Sequence, residues 1–406
     1  MYIISSFFIK WIMRSSIQSR IDIYIAFAIG AQSLLVILQQ ILLDLLYFDE
    51  GVATLIRVAL TMGTMGPAIF LSAIRKPVLF ISTYMCFFAI LLLTILFYPA
   101  NETYIIDEGL RFLLPVSIPS CLCLIAIRDY SIFEKTLYRI SIATSALVFV
   151  YVIGFFLGLI YFEKYNMSFG YACLLPMTIL YYNNNKVSKL ISFILLAVVI
   201  ALGSRGPAMV FILYVILDII LYDKKKMSLL VGFSIIAILI LPLFVEMLEG
   251  LGIESRTISM VLEGNVISDD SGRDDIYKPI SRLIFSEPFG HGIYGDRVIL
   301  NGAYCHNFFI ELFYDFGIIG GGIICLWLFS WFTSVYLRSD KLNRRRLLLF
   351  SVVVFVPLMA SGSFLKDYNF GLLMGVIYSI NKINHNVHVK FAPKTRMVEW
   401  GSKIQN

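Results

Sequence analysis

The residues best equipped for chemistry lie between Asp269 and Gly322, where the longest hydrophilic stretch of a very apolar chain runs back into hydrophobic sequence. Arg273, Lys278, Arg282, Arg297 and His306 fall within it, and Asn307 follows the histidine. A histidine titrates near neutral pH, so it can accept a proton from a reacting hydroxyl. Arginines present fixed charge and paired donors, which suit a phosphate or a carboxylate. A general base with an anion clamp is therefore one reading of this stretch. Surface pairing of Arg273 with its neighbours Asp274 and Asp275 is another, and such pairs contribute little energy.

A second candidate is Gly203-Ser204-Arg205-Gly206-Pro207. Small residues turn a helical hairpin, and Pro207 suits the first turn of the helix that follows. In the plainer reading Arg205 snorkels to lipid headgroups. In the other it sits at a helix N-terminus, where unpaired backbone N–H groups already favour an anion. Local sequence leaves both open. Pro288-Phe289-Gly290-His291-Gly292-Ile293-Tyr294-Gly295 is rich enough in glycine to bring backbone close to a ligand. At about 100° per residue, His306, Ile310, Phe313, Gly317 and Gly320 share one helical face, and the two glycines would admit a neighbouring helix. Glu311 and Asp315 make 303–316 read as amphipathic, entering a bilayer beside a polar cavity.

These residues must be positioned by membrane helices. Hydrophobic residues make up 59% of 406 and charged ones 15%, with mean hydropathy +0.83, well past the apolar share of a soluble domain. Apolar runs near 22–46, 51–74, 77–99, 109–127, 138–162, 168–182, 187–202, 206–222, 227–245, 317–337, 347–364 and 369–381 predict an all-α polytopic protein of about twelve transmembrane helices. Ile3–Met13 is too short to span and reads as an interfacial leader.

Alternate segments collect 23 of the 33 lysines and arginines, which makes that side the cytoplasm and puts both termini on it. The net charge of +6 is then a topogenic signal and an attraction to anionic lipid, which excludes a nucleic-acid partner. The ten remaining cations, among them Arg57, Arg111, Arg205, Arg273, Arg282, Arg297 and Lys366, fall on the opposite side and need another reason. For Arg57 snorkelling suffices, and Arg111 has Asp107 and Glu108 beside it. The chain reads as one membrane domain over 1–406. Within it lie a large extracytoplasmic loop at 246–302, a His-Asn motif helix at 303–337 and a basic cytoplasmic tail at 382–406. Cysteine spacing suggests neither a disulfide framework nor a metal site.

Taken in order, Ser204-Arg205-Gly206, the arginine after Ser271-Gly272, and His306-Asn307 with Gly317 and Gly320 resemble the O-antigen polymerase and O-antigen ligase superfamily of bacterial envelope glycosyltransferases. The resemblance covers about residues 187–337. It implies a GT-C-like fold in the bacterial inner membrane and transfer of a glycan from an undecaprenyl-diphosphate carrier, without metal or cofactor. On that reading Arg205 and Arg273 hold the diphosphate, and His306 with Asn307 is catalytic. Arg111, Arg297 and Arg282 would form an electropositive funnel, while Gly317 and Gly320 are structural. Tyr277, Tyr294 and Tyr304 are candidates to bind sugar.

The implied reaction is polymerisation of lipid-linked repeat units into O-antigen, capsular polysaccharide or exopolysaccharide, with membrane lipids, a chain-length regulator and a flippase as further partners. The alternative is ligation of the glycan to a terminal acceptor such as lipid A-core. A transporter or flippase would instead show internal repeats and charges on broken helices at the midplane.

Overall fold

The computed structural model describes residues 16–160, 167–183, 185–228 and 273–391. The predicted span at 227–245, the first part of the 246–302 loop, the leader and the end of the basic tail lie outside these residues. The described chain is helical throughout: α1 (Ile17–Asp44), α2 (Glu50–Arg75), α3 (Pro77–Phe97), α4 (Pro99–Ala126), α5 (Tyr130–Phe156), α6 (Met167–Tyr182), α7 (Lys186–Ala201), α8 (Arg205–Tyr222), α9 (Arg273–Ser286), α10 (Gly295–Ile299), α11 (Phe308–Arg338), α12 (Lys341–Ala360) and α13 (Tyr368–Phe391). A helix covers most of each of the other eleven predicted segments, though α5 ends at Phe156 and α12 at Ala360, short of the expected 162 and 364. Of these, α1 to α5, α8 and α11 are long and apolar enough to cross a membrane.

The helix starts are written in short polar residues. Asp49, Asp129, Asn185, Asn307 and Asp340 each accept a backbone N–H of the first turn, which satisfies donors that would otherwise be orphaned. Pro77 opens α3 directly after α2 ends. In α4 the stretch Ile105–Ser117 is π-helical, a winding that in proteins concentrates at functional sites.

Helix α1 lies at the centre, packed on α2, α5 and α6, while α13 packs on α4 and α12. The shared core includes Ile25, Leu124, Phe133, Phe169, Met177, Phe211, Phe350 and Leu372. By contrast α2 and α3 are largely uncovered: only 11% and 17% of their most apolar windows are buried, against 61% for α1. Helices this apolar and this exposed require a lipid surround.

Successive hairpins put Arg75, Arg345 and Arg346 at one end of the bundle. There Arg75 bonds the buried Asp22, Arg345 clasps Asp218 at 2.5 and 2.8 Å, and Arg346 clasps Glu134 at 2.6 and 2.5 Å. These cations therefore tie helices together as well as marking a side. The opposite end carries the candidate site.

Candidate functional site

Helix α11 begins where it does because Asn307 caps it. The Asn307 side-chain oxygen accepts from the Phe309 and Ile310 N–H groups at 3.0 and 3.3 Å, and its Nδ2 donates to the Met359 carbonyl at 3.1 Å. His306 lies just outside the helix, in the left-handed region at φ 52°. Its Nδ1 is 3.2 Å from the Ser361 carbonyl, and its ring rests on Tyr304 with centroids 4.1 Å apart. A carbonyl oxygen only accepts, so Nδ1 carries a proton, and in the neutral form of the ring the lone pair is then on Nε2. That is the tautomer a proton acceptor needs.

The single helical face expected from His306 to Gly320 does not form. His306 precedes the cap, and α11 breaks at Gly317, whose φ of 70° and ψ of 172° are not helical. Among the described residues the closest approach to Gly317 is not made by a neighbouring helix. The backbone of the Pro288–Gly290 loop makes it: a Cβ on Gly317 would stand 2.1 Å from the Pro288 carbonyl oxygen. His291 and Gly292 donate to the Tyr314 and Asp315 carbonyls there, at 3.0 and 2.9 Å. The glycine-rich loop thus seals the break in α11. Gly320 is half-buried with only Phe316 close by.

Arg205 is the first residue of α8, half-buried, with Ser204 before it and Gly203 at φ 73° making the turn. The turn is pressed against α6: a Cβ on Gly170 would meet Ser204 at 2.5 Å, and one on Gly206 would meet the Tyr171 hydroxyl at 2.6 Å. That hydroxyl donates to Ser361 Oγ at 2.9 Å, and Ser361 is the residue whose carbonyl holds His306. Two motifs about a hundred positions apart are joined through Tyr171 and Ser361.

Tyr171, Tyr304 and Ser361 also line a cavity of about 940 Å³. Its apolar wall includes Val36, Val58, Met62 and Leu175, and Arg57, Arg111 and Lys366 reach it from three different segments. Arg111 pairs with Asp107 at 3.1 Å, both well exposed, so that pair contributes little. Arg282 is exposed on α9 and away from this lining, while Tyr277 is half-buried. Arg273 is the first residue of α9, with its side chain outside the described residues.

Arg297 is wholly buried instead of facing a funnel. Its Nη1 donates to Asp296 and to Glu311, each at 2.5 Å, its Nε to Glu108 at 3.3 Å and its Nη2 to Ser363 at 2.7 Å. Burial opposes the guanidinium charge, but Glu311, Asp296 and Asp315 outweigh it and hold Arg297 above the ordinary arginine value. The rings of Tyr294 and Tyr304 lie beside the guanidinium. Glu108 also accepts from Lys366 Nζ at 2.9 Å. Asp296, Glu311 and Asp315 gather within 4.8 Å of one another, a carboxylate cluster that the spacing of the sequence did not suggest. Arg297 bridges two of the three and so supplies the counter-charge.

Tyr171, Glu108, Ser361 and Ser363 are the site residues that sequence reasoning missed. None has a distinctive spacing, because they belong to separate segments of the chain. Lys366 and Arg57 did carry a signal: both are cations on the side where the charge rule predicts few.

Residues 190–325, roughly a third of the chain, match the O-antigen ligase family, Wzy_C. The match takes in the Arg205 turn, Arg273, His306-Asn307, Gly317 and Gly320, and leaves out Arg57, Glu108, Tyr171, Ser361 and Lys366. No curated protein and no solved structure matches the chain.

Proposed function

We propose, from the premise that residues 190–325 place this chain in the O-antigen polymerase and ligase superfamily, that it polymerises lipid-linked oligosaccharide repeat units at the outer face of a bacterial plasma membrane, with both termini in the cytoplasm. The donor is an undecaprenyl-diphosphate-linked glycan. An acceptor sugar hydroxyl attacks the anomeric carbon and passes its proton to His306 Nε2 as the new C–O bond forms. The bond from that carbon to the diphosphate breaks, and the lipid diphosphate leaves with its charge held by Arg205 and Arg273. Donors fixed in advance where charge develops act most strongly in a site partly closed to water. A chain-length regulator and a flippase would work beside it.

The observation that carries this reading is the Tyr171–Ser361 bridge: Tyr171 packs against the turn that opens α8, the Ser361 carbonyl holds His306, and both Tyr171 and Ser361 line the cavity, although Arg205 and His306 themselves do not. Arg111 fits the rim of that cavity. Arg297 fits the support of it, since the cage connects α4, α10 and α11 behind Tyr304. Transfer to a terminal acceptor such as lipid A-core is the second reading, favoured by the name of the matched family.

The test is a gel of surface glycans from a deletion strain complemented with wild type or with His306→Ala. Single repeats on the terminal acceptor, with no ladder, identify a polymerase. Long chains stranded on the lipid carrier identify a ligase. A full ladder from well-expressed His306→Ala would remove His306 from the chemistry.

A further inference from the structure

Arg57 lies two turns inside α2, about 10 Å along the helix from Glu50. It is half-buried and makes no ion pair with any described residue. A cation within a membrane helix is costly to hold, and structures that keep one use it. Snorkelling would turn Arg57 towards a headgroup layer; instead it lines the 940 Å³ cavity together with Thr54 and Thr61, its neighbours on the same helical stripe.

Lys366 reaches the cavity from the segment between α12 and α13. Glu108 engages one of its three donors at 2.9 Å, and its Nζ lies 5.0 Å from the Phe112 ring centroid and 5.5 Å from that of Tyr304. Tyr304 is the ring that rests on His306, so a single side chain separates the Lys366 ammonium from the imidazole. Asp367 is also in the lining, but its carboxylate accepts from the Asn369 backbone and side chain at 2.8 and 2.9 Å. The cavity thus combines an apolar wall with cations from α2, α4 and the α12–α13 segment; Arg111 is paired with Asp107 and Lys366 with Glu108, and Asp367 adds a carboxylate, whereas Arg57 has no ion pair with any described residue. That is the complement of an amphiphile whose hydrocarbon carries phosphate. The matched domain supplies neither Arg57 nor Lys366.

We infer that this cavity receives the isoprenoid diphosphate and that Arg57 and Lys366 bind its phosphates. The inference rests on the glycan-transfer reading for the identity of the lipid, and it assigns two residues that the resemblance does not supply. Lys366, close to His306, takes the phosphate nearer the breaking bond, and Arg57 takes charge farther along the cavity towards the chain. Both raise affinity for the donor more than they alter the proton transfer.

The experiment is titration of the full-length purified protein with undecaprenyl diphosphate, with phosphatidylglycerol and inorganic diphosphate as competitors, for wild type, Arg57→Gln, Arg57→Lys, Lys366→Gln and Arg205→Gln. Loss of a charge-assisted contact predicts roughly tenfold weaker binding or more in Arg57→Gln and Lys366→Gln. Arg57→Lys should recover much of it, which separates charge from packing. Unchanged affinity in both glutamine variants, while Arg205→Gln loses binding, overturns the inference and spares the reading. Equal competition by phosphatidylglycerol makes the cavity a site for bulk lipid and also overturns it. Absence of undecaprenyl diphosphate binding to wild type removes the reading and the inference together.

Discussion

Arg297 and Glu311 stand fourteen residues apart, and both are fully buried with 2.5 Å between their charged atoms. The pair belongs to a cage in which one guanidinium serves Asp296, Glu311, Glu108 and Ser363. Removing one member leaves the others charged and dry, and that asymmetry outweighs the net worth of the pair. Arg297→Ala is therefore expected to cost about 3–5 kcal/mol, read as a large drop in thermal stability in detergent. Glu311→Gln, which keeps an acceptor for Arg297 and Ser363, should cost distinctly less. Equal losses in the two would show that shape and not charge is at issue.

His306→Ala should lower glycan transfer by about 10²- to 10⁴-fold, the range for a positioned proton acceptor, with no comparable fall in stability. The check is product formation from a purified lipid-linked donor beside a melting curve. A loss of stability with little loss of rate would make His306 a packing residue.

Asn307 is expected to divide its effects. Alanine removes the cap of α11 and the bond to Met359, costing about 0.5–2 kcal/mol from the cap alone. Aspartate keeps the cap but cannot donate to the Met359 carbonyl. Asn307→Asp should thus be closer to wild type in stability than Asn307→Ala, while both should lose activity because the segment that carries His306 is no longer tied to the Met359 carbonyl. Full activity in either would place the histidine's support in Ser361 and Tyr304 alone.

Gly317→Ala should destabilise sharply, by more than the roughly 1–3 kcal/mol of a strained backbone, because the new Cβ would strike the Pro288 carbonyl at 2.1 Å. Gly320→Ala, with only Phe316 at 3.2 Å, should be mild. Similar melting temperatures for the two would contradict this account of the break in α11.

Burial, with Asp296 next, pushes the Cys305 thiol up. It should resist alkylation at neutral pH in the folded protein, since the thiolate is the reactive form. Mass spectrometry before and after denaturation reads this directly; prompt modification of native protein would mean that the segment opens.

Much of the scaffold was legible because span length and apolar runs are local properties, so helices stand where apolar runs were expected, although α4, α5, α11 and α13 depart from the expected limits by up to about two or three turns. The Arg205 turn was legible for the same reason: glycine, serine and proline specify it in five positions. What the sequence did not disclose is long-range. Nothing near Arg297 says that Glu108 will pair with it, and nothing near Tyr171 says that Ser361 will accept its hydrogen bond. The misplaced helical face came from extending one period through residues that a cap and a glycine interrupt. Arg57 and Lys366 were visible as charges on the sparing side, but their meeting at one cavity is a property of packing.

The cage also has a consequence for how the protein is made. Glu108 sits in α4, while Arg297 and Glu311 follow it by nearly two hundred residues or more. During synthesis this carboxylate is made long before its partners exist, and it stays without their counter-charge until they arrive. Closure of the cage is then a late event of high contact order, slow by comparison with helix insertion. A chain stopped before α10 would hold its first helices with an acid still lacking the counter-charge of Arg297.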